Sequence, residues 1–273
     1  RTDVMPLGSG ALAGVPYTID REFVAKELGF SRVSTNSMDA VSDRDFLLDF
    51  HAAASISVVH LSRISEELVL WSSAEFDFVT LSDEHTTGSS MMPQKRNPDF
   101  AEIARGKTGR VFGNLVGLLT TMKGLPLTYN RDLQEDKEGF FDTADTLLAT
   151  IDVCADMLDG IIVNGDRMRE AARSGYALAT DIADYLVGKG VPFRAAYRIV
   201  AELSDHAVES GRRFDELSLE EFQRFSNRFD DGVFDITVDT SIAARAVPGG
   251  TSPDRVAEAI VAAQRSLQDE ING

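Results

Sequence analysis

Cysteine is almost absent from the sequence, because only Cys154 of its 273 residues carries a thiol. A single cysteine excludes an internal disulfide and is typical of proteins from a reducing compartment. The apolar neighbours Val153 and Ala155 predict a thiol packed in the core, without a redox or nucleophilic function.

Positive charge is scarce as well, since 27 Lys and Arg residues stand against 44 Asp and Glu residues, giving a formal net charge of -17. So acidic a chain disfavours nucleic acid and anionic membranes as partners, and an anionic substrate would need cations placed at its binding site. Long apolar runs are missing too: segment 111–122 is interrupted by Gly and Asn and is shorter than the about 20 residues that span a bilayer. No His, Cys, Asp or Glu cluster has the spacing of metal ligands, so no metal is expected.

Apolar periodicity predicts an all-α protein with long helices. From Ser42 onward, apolar residues recur every three or four positions for about eight turns, and Asp45 three residues later resembles a capping box. A helix of roughly 40 Å needs neighbours of similar length, so a helical bundle is expected. Further helices are predicted at 20–29, 98–122 and 134–158.

The pattern changes after Val163 to short helices separated by Gly and Pro. These helices are predicted at 166–173, 179–187, 192–210, 219–229 and 253–270. We expect a central helical-bundle domain at 1–170, incomplete at its N-terminus, and a small helical C-terminal domain at 171–273. No strand is predicted, and only 230–238 is considered as a short extended segment.

Segment 88–98, Gly-Ser-Ser-Met-Met-Pro-Gln-Lys-Arg-Asn-Pro, has the composition of an anion-binding loop. Gly88 and the two serines allow a ligand to approach the backbone closely. Asn97 suits an N-cap and Pro98 the first position of a helix, whose free N–H groups would add to the charge of Lys95. An ordinary junction between a loop and a helix has the same residues, so the composition alone leaves both interpretations open.

As a whole, this segment resembles the signature loop of the fumarase/aspartase superfamily, whose members eliminate across a C–N or C–O bond and release fumarate. Segments 108–115 and 122–137, the second containing Lys-Gly-Leu-Pro-Leu-Thr-Tyr-Asn-Arg-Asp-Leu-Gln-Glu-Asp-Lys, narrow the resemblance to the argininosuccinate lyases. The resemblance extends over essentially the whole chain and is strongest at 87–137. It implies reversible cleavage of argininosuccinate into arginine and fumarate, in arginine biosynthesis. It also implies a cytoplasmic homotetramer with active sites shared between subunits and without a cofactor.

The same resemblance assigns catalytic functions to three residues. Ser89 is similar to the family's catalytic serine, which removes the Cβ proton as an alkoxide, and Ser90 is the competing candidate. Lys95 would stabilise the negative charge that develops on the substrate carboxylate. Glu102 would orient the catalytic histidine, or it would only compensate the dipole of its helix.

Five further residues match substrate-binding positions of the family: Asn97, Tyr129, Gln134, Lys137 and Arg44. Together they offer cations and amide and phenol donors, which suits a substrate with several carboxylates. Gln134 and Lys137 are three positions apart and are expected on one helix face. Asn97 has helix capping as its alternative function, and without the resemblance 135–137 would be interpreted as a solvated helix start.

The histidines do not match the family pattern. His51, His60, His85 and His206 all differ from the catalytic histidine, which the family places in a Thr-His motif upstream of this sequence. With Arg1 as the first residue, we therefore expect the C-terminal part of such a lyase, inactive in isolation.

Two alternative functions remain open at this point. The first is another fumarate-releasing enzyme of the superfamily, such as adenylosuccinate lyase or aspartase. The second is a non-catalytic, crystallin-like structural or oligomerisation protein.

Overall fold

Long helices dominate the first of two compact units into which the chain divides, Arg1–Val163 and Asn164–Gly273. The computed structural model describes residues 1–174 and 176–272. The first unit contains α1 (Arg21–Glu27), α2 (Ser37–Ser42), α3 (Asp45–Trp71), α4 (Asp99–Lys123) and α5 (Asp136–Asp159), with 3-10 turns at Asp83–His85 and Arg131–Glu135. The predicted all-α class and the helical bundle are thereby confirmed.

Helix α4 runs antiparallel to both α3 and α5 and packs against them through small and apolar side chains. One buried cluster contains Leu68, Ala101, Ala104, Cys154 and Met157. A second cluster along the same helices contains Ala54, Val58 and Val111. Alanines at these positions let the helix axes approach closely, which fixes the relative placement of the helix ends. Cys154 is buried, and this burial raises the pKa of its thiol, as expected for a core residue.

Three short pairs of strands join the segments between the helices. β1 (Val4–Met5) pairs in parallel with β2 (Arg32–Val33), while β3 (Val79–Thr80) and β4 (Thr87–Gly88) pair antiparallel with β6 (Ile162–Val163) and β5 (Arg96–Asn97). The prediction that no strands are present is therefore wrong. Each strand has only two residues, too few to produce the alternating pattern that reveals strands in a sequence.

The second unit has its own core. It contains α6 (Gly165–Ser174), α7 (Ala179–Gly188), α8 (Phe193–Ser210), α9 (Leu219–Phe225), α10 (Val238–Ala244) and α11 (Pro253–Asn272), with 3-10 turns at Phe214–Glu216 and Asp231–Asp235. Leu186, Leu203, Phe222 and Phe229 are fully buried there. The unit begins after Val163, a little upstream of the boundary that the sequence suggested. Among the described residues, no helix is both long and apolar enough to cross a bilayer.

Some predicted boundaries need correction. Ser42 does not start the longest helix but ends α2, whose N-cap Asn36 accepts hydrogen bonds from the N–H groups of Met38 and Asp39. Helix α3 begins at Asp45, and its N-cap residue Arg44 makes no side-chain cap. The Asp43 carboxylate instead accepts a hydrogen bond from the N–H of Asp45 at 2.9 Å. Likewise, 230–238 is not one extended segment: Asp230, Ile236 and Thr237 are extended, but residues 231–235 form a 3-10 turn and α10 begins at 238.

Candidate active site

The signature loop is a hairpin whose two ends are fixed by backbone pairing. Thr87 pairs with Asn97 and Gly88 with Arg96 in the β4–β5 ladder. The guanidinium of Arg96 donates a hydrogen bond to the carboxylate of Asp83 at 3.0 Å. The residues between the strands, 89–95, include both Ser89 and Lys95, so the ladder holds the two ends of the segment that carries them.

The Ser89 hydroxyl is held by the backbone of the loop. Its Oγ accepts hydrogen bonds from the N–H groups of Met91 and Met92, both at 3.2 Å. Ser89 is half-buried, whereas Ser90 is exposed. Two N–H donors aimed at one hydroxyl oxygen favour its deprotonated form, because hydrogen bonds to an anion are stronger than those to a neutral group.

Lys95 and Asn97 follow the serine on the returning arm. The N–H of Lys95 donates to the carbonyl of Met92 at 3.0 Å, and the Lys95 side chain is exposed. Asn97 is not the N-cap of α4: Pro98 has that position and makes no side-chain cap. Pairing with Thr87 keeps Asn97 in the ladder, so the capping interpretation is wrong for Asn97 and its amide is not used for that purpose.

Carboxylates occupy the first turn of α4. Asp99 accepts a hydrogen bond from the Thr87 hydroxyl, and Glu102, which is exposed, follows three residues later. These charges offset the positive end of the helix dipole. The positive field expected from the helix terminus is therefore reduced, and the cations of the hairpin itself are Lys95 and Arg96.

The histidines contribute little to this loop. His51 is fully buried against the rings of Phe50 and Phe140, and burial lowers the pKa of its imidazole. His85 shares a hydrogen bond of 2.8 Å with the Ser82 hydroxyl. The hydrogen bonds of the described residues link no histidine to Ser89, and these residues contain no cluster of three or more potential metal ligands.

A second group of predicted site residues lies around the start of α5. The Gln134 amide donates to the Tyr129 hydroxyl at 2.6 Å. Gln134 belongs to the 3-10 turn Arg131–Glu135, and Lys137 is the second residue of α5. The expectation that both share one helix face stays a prediction, and the 3-10 turn is compatible with it, because side chains three positions apart eclipse in a 3-10 helix.

Arg44 and Lys137 meet at the carboxylate of Asp136. Arg44 Nε donates to Oδ2, and Lys137 Nζ donates to Oδ1 at 2.9 Å. Asp136 was not predicted as a site residue, because its charged neighbours are typical of a solvated helix start. Its spacing from Leu133 and Phe140 was the available signal, since positions three before and four after lie on the same side of a helix.

These three residues line a cavity of about 700 Å³. Its other polar lining residues include Arg1, Arg32, Ser34, Thr35, Asn36 and Asp39. A volume of this size lies in the range of small-molecule sites. Its cations and hydroxyl and amide donors suit a ligand with carboxylates.

One chain does not bring the two groups together. The hairpin directly precedes the N-terminal end of α4. At that end, Ala101 and Ala104 pack against Cys154 and Met157, which lie near the C-terminal end of α5. Asp136, in contrast, begins the opposite end of α5. The eighteen positions between residues 136 and 154 correspond to about 27 Å of helix. Ser89 and Lys137 of the same chain are therefore too far apart to contact one small substrate.

Comparisons with known proteins identify the family of the chain. Residues 1–113 match a family model described as lyase, and residues 176–243 match the argininosuccinate lyase C-terminal model. A curated argininosuccinate lyase from Dehalococcoides mccartyi is 57% identical over 269 residues, covering 98% of this chain and 58% of that protein. The enzyme from Pelotomaculum thermopropionicum is 55% identical over 270 residues, covering 98% and 59%.

Among solved structures, an EDDS lyase variant with bound fumarate superimposes with a TM-score of 0.90 at 26% identity, covering 100% of this chain and 56% of that one. The chain thus spans somewhat less than three fifths of the length of the relatives it matches. The bundle, the signature hairpin and the sequence identity over 98% of its residues lead to one conclusion: the chain belongs to the argininosuccinate lyase family of the fumarase/aspartase superfamily.

Proposed function

We propose that the protein is an argininosuccinate lyase, which cleaves argininosuccinate into arginine and fumarate by β-elimination. The observation that carries this proposal is the Ser89 hydroxyl, held by two backbone N–H groups in a hairpin that also contains Lys95. The 57% identity with a curated argininosuccinate lyase selects this substrate among those of the superfamily.

In the proposed reaction, Ser89 acts as the base. Its alkoxide, stabilised by the N–H groups of Met91 and Met92, removes the proton from the carbon next to a substrate carboxylate. The electron pair of that C–H bond moves first onto the carboxylate, where the Lys95 ammonium stabilises the added charge. It then forms the carbon–carbon double bond of fumarate as the C–N bond breaks.

The leaving nitrogen takes a proton from a general acid, and arginine departs. No water is consumed, so one substrate yields two products with atoms and charge in balance. By the family resemblance, the acid is a histidine, and Glu102 in the first turn of α4 is assigned to orient it. Asn97, on the arm of the hairpin that follows Lys95, is assigned to substrate binding.

We further propose that the active enzyme is a homotetramer with sites shared between copies. Tyr129, Gln134 and Lys137 would bind the carboxylates at the start of α5, where Arg44 holds Asp136. About 27 Å of helix separates this end of α5 from the end beside the hairpin of the same chain. A complete site then requires the hairpin of another copy. The bundle also exposes large apolar side chains, among them Ile103, Val116, Phe141 and Leu148, which association would cover.

The cytoplasm is the proposed location of this enzyme. The only thiol, Cys154, is buried, and a chain without disulfides is typical of a reducing compartment. The substrate and both products are small polar molecules of amino-acid metabolism, which suits the same compartment.

Fumarate release from argininosuccinate by the full-length enzyme tests the proposal. Ser89→Ala is expected to lower kcat by about a thousandfold, because general-base catalysis contributes on the order of 10²–10⁴. Ser90→Ala is the matched control and is expected to retain most activity. A folded wild-type enzyme that leaves argininosuccinate intact but cleaves adenylosuccinate or aspartate would move the assignment to another member of the superfamily.

A further inference from the structure

We propose that Asp136 is a positioning residue, which anchors the Lys137 ammonium in place for a substrate carboxylate. The inference rests on the proposed function and extends it, because the family resemblance assigned no function to Asp136. It concerns how the binding cation is held, and not the chemical step itself.

The Asp136 side chain is buried and contacts protein groups instead of solvent. The side chain is only 4% exposed, although Asp136 belongs to a run of four charged residues at a helix start. Its two carboxylate oxygens are divided between two cations, with Arg44 on Oδ2 and Lys137 on Oδ1. A buried carboxylate needs such partners, because an unpaired charge is strongly unfavourable away from water.

The two cations of this cluster face different surroundings. The Arg44 side chain is 13% exposed and also donates to the carbonyl of Asp43 at 2.6 Å, so its donors are directed inward. The Lys137 side chain is 52% exposed and lines the cavity of about 700 Å³. Lys137 is therefore the most exposed member of the cluster and the one best placed to meet a ligand.

Charge balance explains why three groups are needed. Asp136 alone would neutralise Lys137 and leave no net attraction for a carboxylate. With Arg44 on its other oxygen, the cluster has a net charge of +1, and the anchored ammonium retains hydrogens for a ligand. Asp136 thus restricts a flexible side chain to one position, while Arg44 offsets the charge that this restriction adds.

Steady-state kinetics of the full-length enzyme with argininosuccinate test this inference. Asp136→Asn is expected to raise KM about tenfold or more, because a charge-assisted anchor is lost, with a smaller effect on kcat. Glu138→Gln removes an exposed carboxylate two residues further along the same helix and is expected to leave KM unchanged. In a Lys137→Gln background, Asp136→Asn should raise KM no further, since its effect passes through Lys137.

Removing both buried charges, those of Arg44 and Asp136, distinguishes a positioning function of Asp136 from a purely structural one. Arg44→Gln combined with Asp136→Asn leaves no unpaired charge, so thermal stability should recover relative to Asp136→Asn alone. A KM that stays high in this pair supports positioning, whereas a KM that returns to the wild-type value with the stability overturns it. Additive effects of Asp136→Asn and Lys137→Gln on KM would also overturn it. A wild-type enzyme that releases no fumarate would instead refute the proposed function on which the inference rests.

Discussion

At the scale of single residues, Glu221 of the second unit shows how local donors set a charge. Its carboxylate accepts hydrogen bonds from the Arg212 guanidinium, from the N–H of Ser218 and from the His206 ring. These donors, Arg212 foremost, lower the pKa of Glu221 from 4.5 to about 2. The folded state therefore favours the charged carboxylate more than the unfolded state does.

The direction of the pH effect follows from this shift. Because the pKa is lower in the folded state, the contribution of Glu221 to stability is complete above about pH 4.5 and is lost as the pH falls toward 2. Glu221→Gln is expected to lower the melting temperature at pH 7, with the difference from wild type shrinking across that window. Thermal unfolding of both proteins at several pH values between 2 and 7 measures this difference in melting temperature. Glu220→Gln, the exposed neighbour, should show no such narrowing, and a difference that is constant with pH would contradict the assignment.

The environment of a residue could be predicted from the sequence where its neighbours in sequence determine it, and not where its partners are distant in sequence. Cys154 was correctly predicted as buried, because its apolar neighbours are adjacent in sequence. Asp136 was missed, because Arg44, its main partner, is 92 positions away. Ser89 was selected by resemblance, but the two N–H groups that hold its hydroxyl depend on a loop conformation that no single residue type specifies. Its catalytic function stays a prediction until the variant is measured.

At the scale of elements, helix C-termini differ in how strongly they require glycine. Gly211 caps α8 in the left-handed conformation, with φ at +65°. A Cβ added there meets no atom within 4 Å, so only the backbone conformation disfavours other residues. A residue with a Cβ in this conformation costs about 1 kcal/mol.

Gly211→Ala is accordingly expected to lower the free energy of unfolding by about 1 kcal/mol, measured by urea denaturation of the full chain. Gly188 is the matched control, because it ends α7 in the same unit with a negative φ and a Cβ added there also meets nothing. Gly188→Ala should be neutral or slightly stabilising. Equal losses for the two variants would show that the left-handed conformation is not the cause.

The helices themselves were largely predictable, and their starts were less so. Long apolar periodicity located α3, α4 and α5, because each must bury one face along its whole length. Ser42 was predicted to cap α3 because Asp45 follows three residues later. In the structure Ser42 is instead the last residue of α2, whose N-cap is Asn36. Asn97 was assigned as a cap by composition, but pairing with Thr87 fixed its backbone in a ladder. Local signals of this kind compete, and contacts that are distant in sequence decide between them.

At the scale of the whole molecule, the length of the bundle separates two groups of residues that the proposed reaction requires together. The signature hairpin and the Lys137 group lie at opposite ends of α4 and α5, and the part of α5 between residues 136 and 154 is about 27 Å long. Under the proposed function, the chain carries two different half-sites, and we expect each to be completed by another copy. This separation follows from helix length, which the sequence periodicity indicated, and from the antiparallel packing of α4 against α5, which it did not.

Mixing two inactive variants of the full-length enzyme tests that consequence. Ser89→Ala removes the proposed base, and Lys137→Glu places a repelling charge at the carboxylate group. After dissociation and random reassociation at equal amounts, roughly a quarter of the sites should combine a native Ser89 with a native Lys137 from different copies. Fumarate release should then recover to about that fraction of the wild-type rate.

The matched control mixes Ser89→Ala with a chain that carries both substitutions. No site in that mixture contains a native Ser89, so it should stay inactive, which excludes simple stabilisation by mixing as the cause of recovery. If a single chain instead formed a complete site, every site in the first mixture would retain one defect. That mixture would then be as inactive as its parents, and the assignment of Ser89 and Lys137 to sites shared between copies would be wrong.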